Sequence, residues 1–214
     1  MDHPPALRDR ILDAAETVVV RQGIGSVTLE AVAAEAGISK GGLLHHFPSK
    51  DRLIEGMVQR CAEHWRACSL EAYERVPPGS GRMARGLLSH LADEQEWSEQ
   101  CRQSSCAVFA ALAQNPSLIE PMRAVSGEMR ERLSRDGLPP GVGDVVIAAL
   151  DGLWLCRVLG LAPVDAALMK RVRKVLEPLV QGEGSRTGAS PARRGSRALS
   201  TRATQERSKR GGSR

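Results

Sequence analysis

Apolar residues along the chain recur at the three- and four-residue spacing of helix faces, and no stretch alternates with period two. Leu7, Ile11, Ala14, Ala15, Val18 and Val19 mark a first helix, which Gly23 and Gly25 end. Thr28 is placed to cap a short helix from Leu29 to Ala36, stopped at Gly37. Ser39 caps a second short helix running to about Phe47, and Pro48-Ser49 breaks the chain before a long helix that starts at Ser49. In that helix Ile54, Met57, Val58, Cys61, Trp65, Cys68 and Ala72 form one apolar stripe, and Pro77-Pro78-Gly79 closes it. Further helices are predicted at about 81–101, 104–114, 117–135, 142–160 and 164–181. Pro121 belongs in a first turn or at a kink, and Pro178 should distort or end the last helix, because neither offers the backbone donor of a helix interior. The predicted fold class is all-α.

Two of these segments stand apart. Residues 142–160 are apolar nearly all round, so that helix must be covered on more than one side. The next helix carries a stripe at Val164, Leu168, Val172, Val175 and Leu179. Two consecutive antiparallel helices of this kind suit an intermolecular four-helix bundle in a two-fold dimer, and they suit an ordinary intrachain core equally well. Residues 182–214 have no apolar periodicity, and with Gly, Ser, Arg and Thr dominant they are expected to be disordered.

Charge changes this picture only locally. The 214-residue chain carries +5 at pH 7. Residues 183–214 hold nine basic groups against Glu183 and Glu206, a net of +7, which leaves −2 on residues 1–182. A case for nucleic acid therefore rests on local placement; the basic tail is read first as a solvated segment without a role, with salt-sensitive, sequence-blind DNA affinity as the alternative. Five scattered cysteines without a Cys-x-x-Cys pair argue against a disulfide scaffold and point to a reducing cytoplasm. No run of 18 apolar residues is present to span a membrane, and Met1-Asp2-His3-Pro4-Pro5 does not read as an export signal.

Residues 28–50 carry the most information. A short helix, a tight Gly37-Ile38 turn and a second short helix form a helix-turn-helix unit, in which Val32 and Ala33 pack on Leu43 and Phe47 while Ile38 fills the corner. Gly41 and Gly42 are poor helix formers, by about 1 kcal/mol each, and close approach of backbone to another surface explains their use. Thr28 and Ser39 lie where free N–H groups favour phosphate oxygens. Lys40, His45, His46 and Lys50 supply cationic or hydrogen-bonding groups.

This stretch resembles the DNA-binding domain of the tetracycline-repressor (TetR) family of bacterial regulators. The matching residues are Thr28, Val32-Ala33, Ala36-Gly37-Ile38-Ser39, Gly41, Leu43, His46-Phe47 and Ser49-Lys50, preceded by Ile11-Leu12-Asp13-Ala14-Ala15 and Gly23. The resemblance implies a dimer that binds a double-stranded DNA operator through an N-terminal three-helix domain, residues 1–50. It implies a helical domain over residues 51–181 that binds a small-molecule effector and dimerises through residues 142–181, with residues 182–214 left as a basic tail. By the same resemblance Thr28, Ser39 and Lys50 meet phosphates, Lys40, Gly41, Gly42 and His45 face base edges or nearby backbone, and His46 and Phe47 support the recognition helix. Gly42 and Leu44 depart from the threonine and tyrosine common in the family at those places, which shifts recognition toward Lys40 and His45.

Candidate effector residues are Trp97, Cys106, Phe109, Met122, Met129, Trp154 and Arg157, apolar groups with a few polar ones. Asp151 and Arg157 either orient a polar ligand or pair across a dimer contact. Cys61, His64 and Cys68 share one helix face, and as a thiolate–imidazole set they keep a metal or redox sensor open. The alternative is two small core hydrophobes, favoured because no fourth donor is evident and no metal or cofactor is otherwise implied. A sequence-blind architectural DNA binder is a further alternative. An enzyme is not indicated, since no nucleophile elbow, zinc-protease string, dinucleotide fingerprint or P-loop occurs.

Overall fold

The computed structural model describes residues 6–92 and 99–181, apart from the side chains of residues 24, 92, 99–104 and 106. Nine α-helices and no strand occur among the described residues: α1 Leu7–Gln22, α2 Leu29–Glu35, α3 Lys40–His46, α4 Lys50–Arg75, α5 Arg82–Ser89, α6 Glu99–Gln114, α7 Glu120–Ser134, α8 Val142–Leu159 and α9 Ala166–Val180. Short 3-10 turns at Ile24–Ser26, His90–Ala92 and Pro116–Ile119 join them. The expected tail, residues 182–214, lies outside the described residues.

Two boundaries differ from the sequence pattern. The helix expected over 81–101 ends at Ser89, whose hydroxyl donates to the Gly86 carbonyl at 2.6 Å, a side-chain bond that competes with the helix ladder. α6 then begins at Glu99, earlier than expected. Pro121 sits in the first turn of α7, where its missing donor is harmless. Pro178 lies inside the last turn of α9, which still continues to Val180.

α4 packs against α1, α5, α6 and α7 and so joins two apolar clusters. The first gathers Ile11, Leu12, Ala15 and Val18 of α1, Val32 and Leu43 of the short helices, and Leu53, Ile54, Met57 and Val58 of α4, and it reaches Ala107, Ala110 and Ala111 of α6. The second gathers Met83, Leu87 and Leu88 of α5, Met129 and Leu133 of α7, Val146 and Ile147 of α8, and Met169 and Leu176 of α9. Further along α4 the buried residues are Ala62, Ser69 and Ala72, whereas Cys61, Trp65 and Cys68 are only half-buried. The two cysteines thus border the stripe rather than fill the core.

α8 and α9 keep a second apolar surface outside. Val146, Ile147 and Leu153 of α8 face inward, while Val145, Leu155 and Leu159 stay exposed. On α9 Met169, Leu176 and Val180 are buried, but Val175 and Leu179 of the predicted stripe are exposed, Val175 to 69%. Among the described residues no helix is long and apolar enough to cross a membrane.

The first cluster is locked to α4 by a charged joint. Arg60 of α4 reaches Asp13 Oδ1 at 2.6 Å and Glu16 Oε1 at 2.7 Å, both on α1. Glu16 is only 4% exposed, and burial raises its carboxyl above the usual range against the opposing pull of Arg60. Arg60→Ala would leave that carboxylate buried and unpaired. Fully buried pairs lose roughly 3–5 kcal/mol on such a change, and the partial exposure of Arg60 brings the expected loss to about 2–3 kcal/mol. Because the folded-state pKa of Glu16 is raised, the loss is small at acidic pH, where Glu16 is protonated in both states, and grows as pH rises through its folded value. Thermal melts of the variant at pH 3.5 and pH 8 check both size and sign.

Candidate nucleic-acid interface

The helix-turn-helix is assembled by local bonds that each have a residue-level cause. Thr28 caps α2 by accepting from the Ala31 N–H at 3.1 Å, and Ser39 caps α3 by accepting from the Gly42 N–H at 3.1 Å. Ser49 caps α4 in the same way through the Arg52 N–H at 3.2 Å. Each hydroxyl keeps its own proton to donate outward. Gly37, at φ +67°, makes the turn that a side-chain-bearing residue would strain. The Ile38 N–H then returns to the Ala33 carbonyl at 3.0 Å, and Ile38 packs on the cluster that holds Val32, Ala33, Leu43 and Phe47. α1 grips α2 from behind, with Arg10 Nη2 donating to the Ala36 carbonyl at 3.2 Å and Arg21 pairing with Glu35 at 3.3 Å.

α3 presents most of the expected residues outward. Thr28, Ser39, Lys40, Gly41 and His45 are exposed, while Gly42, Leu44, His46 and Lys50 are half-buried. The His45 and His46 rings meet edge to face at 5.5 Å. Phe47 is buried, and the Arg8 guanidinium lies 5.3 Å from its ring centre. A methyl group placed on Gly41 or Gly42 would meet nothing closer than the Ser39 hydroxyl, at 3.9 and 3.4 Å. Among the described residues, no packing within the subunit therefore demands glycine at either position.

The sequence pattern missed Glu30. Its Oε1 lies 2.5 Å from Lys40 Nζ, tying the second residue of α2 to the first of α3. The Lys40 bond, joined by a backbone N–H, holds the Glu30 carboxyl below the usual carboxylate range. Arg8 is a second omission: with His46, Arg52 and Gln59 it lines a cleft of about 350 Å³ beside α3. Neither lies in the matching motif, and only the tertiary arrangement brings them to the face.

The candidate effector residues are only partly gathered. Trp97 and the side chain of Cys106 lie outside the described residues. Phe109 and Trp154 stack nearly parallel at 5.7 Å, and Trp154 Nε1 donates to Ser105 Oγ at 2.8 Å. Ser105 had no sequence signal. Met122 packs on the first cluster, Met129 is a fully buried member of the second, against which Trp154 also packs, and Arg157 donates to the Val164 carbonyl at 3.4 Å. Asp151 lies 3.8 Å from Arg130 within the same chain. Cys68 Sγ approaches His64 Nε2 at 3.6 Å, but among the described residues no three His, Cys, Asp or Glu side chains are placed to hold a metal ion.

A three-helix head whose last helix lies exposed, seated on a long connecting helix, is the arrangement of a helix-turn-helix transcriptional regulator. Residues 11–57 match the family described as bacterial regulatory proteins, tetR family, and residues 81–181 match the tetracyclin repressor-like C-terminal domain. The chain belongs to the TetR family. It is 26% identical over 173 residues to the HTH-type transcriptional regulator BetI of Klebsiella pneumoniae (strain 342), covering 77% of this chain and 88% of that protein. Among solved structures, the multidrug binding protein EbrR complexed with malachite green is similar at 27% identity and a TM-score of 0.62, covering 82% of this chain and 98% of that one. A TetR family member from Streptomyces coelicolor A3, SCO1917, is similar at 28% identity and a TM-score of 0.59, covering 80% of this chain and 98% of that one.

The seat of α3 depends on Gly56 of α4, where an added Cβ would lie 2.7 Å from the Phe47 ring. Gly56→Ala should displace Phe47, cost about 1–3 kcal/mol and tilt α3. Gly127→Ala on α7, which meets open space, should be neutral or stabilising. Paired thermal melts, with duplex binding measured on both variants, check the contrast.

Proposed function

We propose that the protein is a dimeric repressor whose two heads dock in successive major grooves of a near-palindromic operator, roughly 34–36 Å apart, until a small molecule releases it. The observation that carries this reading is the bare outer face of α3, where Gly41 and Gly42 have no internal reason to be glycine. There the backbone approaches base edges, Lys40 and His45 donate to them, and Thr28, Ser39 and Lys50 meet phosphates. Residues 1–50 form the reading domain and residues 51–181 the sensing and dimerising one. Like other readers of bacterial genomic DNA, it works in the cytoplasm.

The exposed apolar residues of α8 and α9 support a four-helix dimer bundle with a second copy. Arg130 takes Asp151 within one chain, so the bundle is held by apolar contact. The effector is a planar aromatic molecule that enters at the Phe109–Trp154 stack, with Ser105 as a polar partner. The similar EbrR is a multidrug binding protein solved with malachite green and with ethidium. α6 carries Phe109 on one side and Ala107, Ala110 and Ala111, packed in the head cluster, on others. A ligand that separates α6 from α8 thereby shifts the head through α1 and α4, and it favours release by its differential affinity for the two states.

Selection of bound duplexes from a random pool should return a near-palindrome. Lys40→Ala and His45→Ala should each weaken binding to it about tenfold with unchanged melting, and Gly42→Ala should weaken binding while leaving the helix as stable or more so. Leu159→Asp with Val175→Asp should give folded monomers on a sizing column that no longer protect both half-sites. Full operator protection by such monomers would overturn the dimer.

A further inference from the structure

The ion pair between Glu30 and Lys40 has no evident task in the fold. Glu30 is 63% exposed and Lys40 53%, and water screens exposed pairs of this kind so that they add little to stability. The angle between α2 and α3 is already set by the Gly37 turn, the Ile38 bond to Ala33, and the packing of Val32 and Ala33 with Leu43 and Phe47. Yet the pair sits at the first residue of α3, the end of a recognition helix that meets base edges. A carboxylate there faces a polyanion and repels it unless a donor receives it.

We propose that Glu30 is a specificity-determining residue, acting with Lys40 as a donor–acceptor pair that reads one G·C base pair in each half-site. This rests on the operator-binding reading above. In the major groove a G·C pair offers guanine O6 and N7 as acceptors beside the cytosine N4 amino donor. O6 and N4 are hydrogen-bonded to each other and lie about 2.9 Å apart. Lys40 Nζ and Glu30 Oε1, 2.5 Å apart, present the complementary order, a donor beside an acceptor, so the pair docks without separating. A T·A pair also sets an acceptor, thymine O4, beside a donor, adenine N6, but it gives the ammonium that single acceptor next to a methyl group, where guanine gives O6 and N7 together. On non-matching sequence the carboxylate cancels the Lys40 charge and removes one cation from sequence-blind backbone binding.

The test uses the full-length dimer with Glu30→Gln and Glu30→Ala, each alone and combined with Lys40→Ala. Wild type and variants are taken through selection from random duplexes, and non-specific binding is measured across a salt series. In the wild-type motif one G·C position per half-site should be required, with a loss of roughly 5–150-fold on its replacement, and in Glu30→Gln that position should become degenerate. Non-specific binding of Glu30→Gln should tighten at low salt, with the slope of log affinity against log salt steeper by about 0.9. Adding Lys40→Ala should abolish that gain. An unchanged motif, or an unchanged slope, in both Glu30 variants overturns the proposal and leaves operator binding standing. A wild-type protein that selects no duplex overturns operator binding itself.

Discussion

The head of this protein has no complete core of its own. Its three helices, α1 to α3, close over Leu53, Ile54, Met57 and Val58, which belong to the first three turns of α4. α4 is 26 residues long, about 39 Å at the usual rise, and its far end is buried against α5 and α7. One continuous helix therefore serves as floor for the head and as a wall of the body. Helices are stiff along their axis, so a small displacement at one end is delivered to the other instead of being absorbed in a linker.

Two features make that connection more than a shared helix. Arg60 joins α4 to Asp13 and Glu16 of α1 at the point where the head cluster ends, and the burial of Glu16 makes the joint costly to open. α6 adds a parallel path, with alanines against the head and Phe109 stacked on Trp154 of α8. Small residues on one side and an aromatic ring on the other let α6 lie close to the head while still answering to the body. The outer surface of α8 and α9 stays apolar at Val145, Leu155, Leu159, Val175 and Leu179, where nothing among the described residues covers it.

At the reading face, bulk electrostatics matters less than placement. The residues before the tail sum to a slight negative charge, and the one lysine at the start of α3 is matched by Glu30. Such a surface gains little from indiscriminate attraction to phosphate, and more from hydrogen bonds that a particular duplex satisfies.

The helix-turn-helix was legible in the sequence because its determinants are local: capping hydroxyls at Thr28, Ser39 and Ser49 act within three residues, and Gly37 fixes a turn by itself. The all-helical class was legible for the same reason, as 3.6-residue periodicity is written along each segment. The phase of α4 was misread at Cys61 and Cys68, since different neighbours cover that helix along its length and the buried face moves to Ala62 and Ser69. Phe109 and Trp154 are legible as candidate effector residues, but that they stack, while Met122 packs on the head cluster, depends on how α6, α7 and α8 cross. The sequence by itself determined that these segments are helical and where the hydroxyl-capped helices α2, α3 and α4 begin. Tertiary structure decided which side chains ten or fifty residues apart come to share a hydrogen bond, as Glu30 with Lys40 and Trp154 with Ser105 do, because such pairs arise from helix packing and leave no periodic trace along the chain.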